Sequence, residues 1–261
     1  VEPFCGSAAL FFAKEPAAES VLSDADPEVV FALKYIQGLT PQRLEALKRL
    51  PWTVSRAGYN RAKECEPKSD SERFWRLAYG RLCAWGGRPQ MSGYSTIHEG
   101  QSYDLEELWR FHEKLKGARI ARKDWKEAIR ESDGSGALFF LDPPYVGEWG
   151  TDEGIPPEEI AQAAVKLKGE FLIAYTDSAR ARRAFARTGR LFKMKFLEAR
   201  NRGLWAKRNR LFVASFDVKK SDDLEWIEAA DGAARFVLQY HYFRKRGEKP
   251  VRAGPTTWHY D

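Results

Sequence analysis

The stretch ALFFLDPPY, residues 137–145, joins an apolar strand to a turn that neither a helix nor a sheet can continue. Its first five residues are all apolar, as in a strand covered on both faces. Asp142, Pro143, Pro144 and Tyr145 follow directly. Consecutive prolines lack backbone N–H groups and fix φ, so regular structure has to stop there. The stretch therefore predicts a carboxylate, carbonyl acceptors and an aromatic ring at the carboxyl end of a buried strand.

Such a turn is suited to hold an amine attached to a flat ring. In open α/β sheets, ligands bind beyond the carboxyl ends of the strands. Asp142 and the carbonyl of Pro143 together would accept both hydrogens of a planar NH₂ group. Tyr145 would stack on the attached ring, with Trp149 as a second aromatic candidate. A purely structural proline-rich turn is the alternative interpretation.

Two stretches near the start of the chain carry further candidates. VEPFCGSAAL, residues 1–10, predicts a strand end, a turn at Gly6 and Ser7, and a helix, an arrangement that lets a ligand approach the backbone. Its single glycine does not make a dinucleotide fingerprint, and an ordinary tight turn is the alternative. In LSDAD, residues 22–26, we expect Asp24 to bind ribose hydroxyls and Asp26 to cap the next helix.

The remaining elements alternate in a way typical of an α/β protein with one helical interruption. Residues 39–116 are polar and helical in pattern, with scattered tryptophans and arginines. The segments on either side predict strands and helices in turn. Strands are expected at 118–121, 137–141, 171–175, 191–197 and 210–216, and helices at 123–131, 156–167 and 178–187.

Composition limits the class of protein. The chain has 261 residues, of which 43% are hydrophobic and 31% charged, which suits one large or two small globular domains. No apolar run reaches the roughly 18 residues of a membrane span, and no secretory signal is visible. Three cysteines without a C-x-x-C pair argue against a disulfide scaffold or zinc site and for a reducing cytoplasm. The net charge of +6 is compatible with nucleic acid binding.

Taken together, these motifs resemble the Dam-type, D12 class of DNA adenine-N6 methyltransferases. VEPFCGSAAL looks like the first motif, LSDADPEVVFALKYIQ the second and LFFLDPPY the catalytic motif. ARKDWKEAI is similar to the segment that holds the cofactor's adenine, and SERFWRLAYGRLCAWGGRP to part of the target-recognition region. FLIAYTDS and RNRLFVASF resemble the closing strands, so the resemblance covers about residues 1–218. Ala8 stands where a second glycine is common in the family.

The resemblance implies a fold, a set of domains and a function. The fold is a Rossmann-like class I methyltransferase sheet with an inserted, mainly helical target-recognition domain. Residues 1–38 and 117–220 would form the S-adenosylmethionine-dependent domain, 39–116 the insertion, and 221–261 a C-terminal extension. The function is methyl transfer to the N6 amine of a flipped-out adenine in double-stranded DNA, as in restriction-modification, in the cytoplasm of a prokaryote or of a virus-infected host.

The site residues follow from the motifs and from side-chain chemistry. The catalytic set is Asp142, Pro143, Pro144 and Tyr145. The cofactor set is Glu2, Pro3, Phe4, Cys5, Gly6, Ser7, Asp24, Asp124 and Trp125. In the insertion, bidentate side chains suit base edges and basic ones suit phosphates. The candidates are Arg88 and Gln90 for bases, and Arg56, Lys63 and Arg81 for phosphates. A solvated basic surface is the alternative for each cation.

Several other functions stay open. The same site would serve an RNA adenine-N6 methyltransferase, and without a complete cofactor pocket the chain would be a DNA-binding module. The family has a Lys and a Gly-rich turn before its first motif, and this sequence begins at Val1 inside that motif. We therefore expect a piece of a longer protein, with the activity of this chain depending on the upstream segment.

The tail carries a separate signal. Residues 235–261 resemble the start of the 3'-phosphoesterase domain found beside bacterial DNA ligases. His241, His259 and Asp261 are the candidate ligands of an Mn²⁺ ion, and metal-dependent phosphoester hydrolysis is the corresponding function. A C-terminal hairpin with exposed histidines is the alternative.

Overall fold

The computed structural model forms two compact units. It describes the backbone of residues 1–14, 17–84, 93–96, 98–146, 154–200, 204–217, 224–228 and 234–239, and their side chains except in 193–200, 204–209, 224–228 and 234–239. The helical unit is Gly6–Arg122. The sheet unit comprises Val1–Cys5 and Lys123–Asp261.

The helical unit contains a small parallel sheet and six α-helices within its described residues. Strands β1 (Ser20–Asp24) and β2 (Ala118–Arg122) pair in parallel, with Ser20 opposite Ala118. The helices are α1 (Ala9–Ala13), α2 (Pro27–Gln37), α3 (Pro41–Lys48), α4 (Arg56–Glu64), α5 (Asp70–Cys83) and α6 (Leu108–Leu115), the last preceded by a 3₁₀ turn at Leu105–Glu107.

Polar caps set the start of most of these helices. The side chain of Asp26 accepts a hydrogen bond from Glu28 N at the start of α2, so its predicted capping role is confirmed. Hydroxyl side chains cap the next three helices in the same way. The caps are Thr40 for α3, Ser55 for α4 and Ser69 for α5.

Aromatic packing forms the core of the helical unit. Tyr35 on α2 stacks on Phe74 of α5 at 4.7 Å between ring centroids, and Trp75 stacks on Tyr79 at 5.2 Å. Trp75 and Tyr79 are almost fully buried, and the Tyr79 hydroxyl donates to the carbonyl of Thr53. These rings join α2 to α5, and α5 to the segment before α4, by burying large apolar areas.

Within its described residues, the sheet unit has a six-stranded mixed sheet and three α-helices. The strand order is β3-β4-β6-β5-β8-β7, with parallel pairing in β3–β4 and β5–β8 and antiparallel pairing elsewhere. The strands are β3 (Leu138–Leu141), β4 (Glu170–Thr176), β5 (Arg190–Arg200), β6 (Leu204–Ala214), β7 (Leu224–Glu228) and β8 (Ala234–Gln239). The helices are α7 (Trp125–Ser132), α8 (Pro157–Ala164) and α9 (Ala179–Phe185).

The first residue of the chain belongs to the sheet unit. Val1 donates its amino group to Leu138 O, and its carbonyl accepts from Phe140 N. This pattern is that of parallel pairing beside β3. Val1, at the start of the first motif, therefore lies beside β3, which leads into the catalytic motif. The two segments run in the same direction.

The mixed α/β class is confirmed, with small sheets. Helix α4 lies within the stretch 39–116 that the sequence predicts to be helical, but its residues RAGYNRAKE contain a glycine and few apolar side chains, so the periodicity is too weak to give its bounds. The sequence does not predict β7. No helix in the described part of the chain is long and apolar enough to cross a membrane.

Candidate active site

The DPPY turn begins where β3 ends, and its carboxylate meets two donors. The hydroxyl of Tyr145 donates a hydrogen bond to Asp142 Oδ1. Arg210, on β6, extends Nη1 to within 3.5 Å of Asp142 Oδ2. The Arg210 guanidinium carbon also lies 5.3 Å from the centroid of the Tyr145 ring. Both oxygens of Asp142 are thus engaged by groups of the sheet unit.

The surroundings of Asp142 alter its acidity. One third of its side chain is exposed, while protein atoms crowd around the rest. Burial raises the pKa of the Asp142 carboxyl above its usual range, because water no longer stabilises the charge. The Arg210 charge and the hydrogen bonds from Tyr145 and Arg210 pull the pKa back down. A carboxylate of raised pKa holds a hydrogen more strongly than an ordinary aspartate.

A second set of contacts fixes the far side of the turn. Pro144 accepts a 2.9 Å hydrogen bond from Ile155 N, and Tyr145 and Ile155 form an isolated parallel bridge. The hydroxyl of Tyr175 donates to Ile155 O at 2.7 Å. The Tyr175 ring lies 4.8 Å from that of Tyr145. The conformation of the turn is therefore determined by residues distant in sequence as well as by its prolines.

The two prolines have different roles in this arrangement. The carbonyl of Pro144 is used by Ile155 N. Among the residues that the structure describes, no donor reaches the carbonyl of Pro143, although Pro143 is buried. A buried residue seldom leaves its carbonyl without a partner. Pro143 follows Asp142 directly in the chain, and their joint role as acceptors for one amine stays a prediction.

The Gly6 turn is tied to the acidic end of β1 within the helical unit. Asp24 Oδ2 accepts from Gly6 N at 2.9 Å, and Oδ1 accepts from Asp26 N at 3.0 Å. Gly6 has φ +49°, and a side chain added there would meet open space. Ala8, buried at the start of α1, also has positive φ, at 57°. The turn is thus a left-handed backbone segment held by the predicted ribose-binding carboxylate.

The other cofactor candidates lie in the sheet unit. Asp124 caps α7 by accepting from Lys126 N, and Trp125 is buried in the core of this unit. The Trp125 ring lies 5.6 Å from that of Phe4. Glu2, Pro3 and Cys5 are buried as well, and Ser7, in the helical unit, is exposed.

The recognition candidates in the helical unit occupy different surroundings. Arg56 lies over the ring of Tyr94 at 4.7 Å, and Lys63 is exposed on α4. Arg81 is 4.0 Å from the carboxylate of Asp26, which connects it to the start of α2. Arg88 and Gln90 lie outside the described residues, as does Trp149.

The tail candidates also lie outside the described residues. They are His241, His259 and Asp261. Within the described part of the chain, no group of three His, Cys, Asp or Glu side chains is arranged to hold a metal ion.

Three residues around the DPPY turn could not be assigned to the site from the sequence. Arg210 is 68 residues from Asp142 in the sequence, and only the pairing of β4 with β6, with Thr176 opposite Arg210, brings it to the strand end. The sequence predicts Tyr175 only as the end of a strand. Gly154 lies against the backbone of Tyr145, where an added Cβ would come within 2.5 Å of it.

An acid and an aromatic ring thus follow a strand in parallel pairing, and the start of the first motif lies beside that strand. The D12 class N6 adenine-specific DNA methyltransferase family matches residues 1–153. The match covers more than half of the chain, which therefore belongs to this family. The family resemblance predicted from the sequence is confirmed, and the phosphoesterase resemblance of the tail stays a prediction. No curated protein matches the chain.

Proposed function

We propose that this chain transfers a methyl group from S-adenosylmethionine to the N6 amine of an adenine flipped out of duplex DNA. The observation that carries the proposal is the pair of acceptors at the end of β3, in a chain of the D12 family. Asp142 has a pKa raised by burial, and among the described residues the adjacent Pro143 carbonyl has no donor. Two acceptors side by side match the two hydrogens of one exocyclic amine.

Flipping is needed because the N6 amine is out of reach inside the base stack. Extruding a base costs a few kcal/mol. Stacking on Tyr145 would recover part of that free energy. The proposed base-stacking surface is the ring of Tyr145, which lies in the same turn as the acceptors.

Asp142 and Pro143 would activate the amine through hydrogen bonding. The lone pair of an aryl amine is conjugated with the ring, which makes the nitrogen a poor nucleophile. Accepting both hydrogens favours a pyramidal nitrogen with its lone pair available for bond formation, which stabilises the transition state more than the ground state. Asp142 then retains the proton that leaves the nitrogen, for which a raised pKa is suited.

The cofactor role rests on residues whose chemistry suits it. S-adenosylmethionine, when bound, supplies an electrophilic methyl group. The carboxylate of Asp24 uses two of its roughly four lone-pair sites on Gly6 and Asp26, so acceptor capacity is left for ribose hydroxyls. The left-handed Gly6, with open space beside its Cα, allows close approach to the backbone. Asp124 and Trp125 would hold the adenine of the cofactor, and Glu2–Ser7 would line its site.

Target recognition is assigned to the insertion. We propose that residues 39–116 contact DNA, and that residues 1–38 and 117–220 form a Rossmann-like catalytic domain. Arg88 and Gln90 would contact base edges, and Arg56, Lys63 and Arg81 would neutralise phosphates.

The test uses the whole chain with isotopically labelled S-adenosylmethionine. Methylation-free genomic DNA supplies many target sequences, and structured RNA is tested in parallel. N6-methyladenine in DNA, detected by mass spectrometry and absent with Asp142→Ala, is the expected result. Label in RNA alone would favour the RNA enzyme. Label in neither, with cofactor binding also absent by calorimetry, would overturn the proposal and leave a DNA-binding module.

A further inference from the structure

Arg210 makes the two contacts that the target adenine is proposed to make. Its Nη1 approaches Asp142 Oδ2 at 3.5 Å, where the amine would donate a hydrogen. Its guanidinium lies over the Tyr145 ring at 5.3 Å, where the base would stack. A guanidinium resembles the amine-bearing edge of adenine in being planar, rich in N–H donors and able to stack on aromatic rings.

We infer that Arg210 is an internal mimic of the substrate base, which occupies the amine site in the absence of DNA and is displaced when adenine enters. The inference rests on the proposed function, because it identifies the amine site as the adenine site. Adenine and Arg210 then compete for the same carboxylate oxygen and the same aromatic ring.

The position of Arg210 in the sheet explains how it reaches the site. Leu141, the last residue of β3, pairs with Ile173 of β4. Three residues further along β4, Thr176 pairs with Arg210 of β6. A long side chain from β6 can thus cross the end of β4 and reach Asp142, which follows Leu141. Rotation of that side chain alone would open the site, with the strand left in place.

The contact between Arg210 and Asp142 is long enough for exchange. Other arginines of the sheet unit bind carboxylates through two short bonds, as Arg180 does with Glu158 at 2.8 and 2.9 Å. Arg210 Nη1 lies 3.5 Å from Asp142 Oδ2, a distance longer than usual for an N–H···O bond. One third of its side chain is exposed, so the displaced guanidinium would pass readily into water. The Tyr145 hydroxyl, on the other oxygen, belongs to the turn itself and would stay.

Arg210 also affects the acidity of Asp142. The Arg210 charge lowers the pKa of a carboxyl that burial raises. The charged and titratable groups facing Asp142 in the described residues are Arg210 and Tyr145. With Arg210 in place, its charge therefore favours the ionised form of the carboxylate, which is the form that accepts hydrogens.

The experiment measures binding of deoxyadenosine to the whole chain by NMR, with arginine side chains labelled with ¹⁵N. The Arg210 signal is assigned by its loss in Arg210→Met. Deoxyadenosine is expected to shift this signal in the wild type, while N6,N6-dimethyldeoxyadenosine, which has no N6 hydrogen to donate, leaves it in place. Arg210→Met should bind deoxyadenosine at least threefold more tightly than the wild type. Arg180→Met, the matched control, should bind as the wild type does.

Arg210→Lys keeps the positive charge but replaces the planar guanidinium by an ammonium group. Its affinity for deoxyadenosine is expected to lie between those of the wild type and Arg210→Met. Equal or weaker nucleoside binding by Arg210→Met, no binding by either protein, or an Arg210 signal unmoved at saturation would overturn the inference. Loss of the signal in Arg210→Lys gives the same assignment, so the wild-type signal gives a result even if Arg210→Met does not fold. Methyl transfer is measured separately. Arg210 displacement without methyl transfer would contradict the proposed function alone, and methyl transfer with Arg210 unmoved would contradict only the mimic.

Discussion

The hydroxyl of Tyr145 donates a hydrogen bond to Asp142, three residues earlier in the same turn. The bond lowers the pKa of a carboxyl that burial raises. Tyr145 is therefore more than a stacking surface, because it also helps to keep Asp142 ionised. Tyr145 thus acts on the Asp142 carboxylate as well as on the base whose amine Asp142 would bind.

Replacing Tyr145 by Phe is expected to raise the pKa of Asp142 further, because a donor to the ionised form is lost. As the pH falls, Asp142 will become protonated at a higher pH than in the wild type, and the acid limb of kcat/KM will shift upward. A carboxyl-selective ¹³C NMR titration of Asp142 checks the shift without depending on turnover.

Tyr175→Phe is the control for this change. It removes a hydroxyl from the same aromatic pair, but one that donates to Ile155. Its acid limb should stay at the wild-type position. An unmoved Asp142 titration in Tyr145→Phe would show that the hydroxyl does not influence the carboxylate.

Replacing Asp142 by Asn should separate activity from stability. We expect kcat to fall by about 10² to 10³, as when one transition-state hydrogen-bonding group is removed, with cofactor affinity by calorimetry unchanged. The pKa of Asp142 is raised in the folded chain, so the unfolded chain loses this proton at a lower pH. The free energy of unfolding therefore decreases as the pH rises from the ordinary aspartate pKa to the raised pKa of the folded chain. The variant should therefore be more stable than the wild type at pH values above the raised pKa.

Below the ordinary aspartate pKa, the Asp142 carboxyl of the wild type is neutral in both the folded and the unfolded state. The difference in stability between the wild type and Asp142→Asn should therefore vanish. Denaturant unfolding at several pH values measures this. Glu170→Gln, which changes an exposed carboxylate on β4, supplies the control and should show neither effect. A variant less stable than the wild type at high pH would contradict burial as the dominant influence on Asp142.

The placement of the two key acids could be predicted from sequence, because local rules suffice. A run of apolar residues followed by Asp and two prolines fixes the strand end at Asp142. Asp26 followed by Pro27 indicates a helix start, which the structure confirms. Each of these inferences depends on residues within one short segment.

Arg210 could not be found in this way. Its contact with Asp142 depends on the register of β6 against β4, and register is set by long-range pairing that a single sequence does not reveal. Gly154 could not be found from the sequence either. A side chain is excluded at this position by the backbone of Tyr145, which lies beside it only in the folded chain. The sequence predicted the acceptors, while the surroundings that tune them required the structure.

Gly154→Ala should disturb the turn from its far side. An added Cβ would lie 2.5 Å from both Tyr145 C and Val146 N. These are backbone atoms, so the bridge between Tyr145 and Ile155 has to shift. We expect a loss of about 1 to 3 kcal/mol in the free energy of unfolding and a reduced kcat, measured by urea titration and methyl transfer.

Gly136→Ala is the matched control, because an added Cβ there meets no atom within 4 Å. It lies just before β3 and should leave both quantities close to those of the wild type. Equal stability of Gly154→Ala and Gly136→Ala would mean that the contact between Gly154 and the Tyr145 backbone is absent in solution.

Asp24 and Asp26 offer a direct comparison of two acids that lie two residues apart. Asp24 accepts one hydrogen bond on each oxygen, from Gly6 N and Asp26 N. Asn at this position has a single acceptor oxygen and places an NH₂ group against the other donor. Asp24→Asn should therefore lower the free energy of unfolding by about 1 to 3 kcal/mol and weaken S-adenosylmethionine binding about tenfold, for one lost hydrogen bond to ribose.

Asp26→Asn should have little effect on either quantity. Asn caps a helix about as well as Asp does, and the pair with Arg81 is long, at 4.0 Å, partly exposed and worth little. Chemical unfolding and calorimetry on both variants make the comparison. If Asp26→Asn weakened cofactor binding and Asp24→Asn did not, the ribose role would belong to the capping residue. If Asp24→Asn lost stability but kept its affinity, Asp24 would serve only to hold the Gly6 turn.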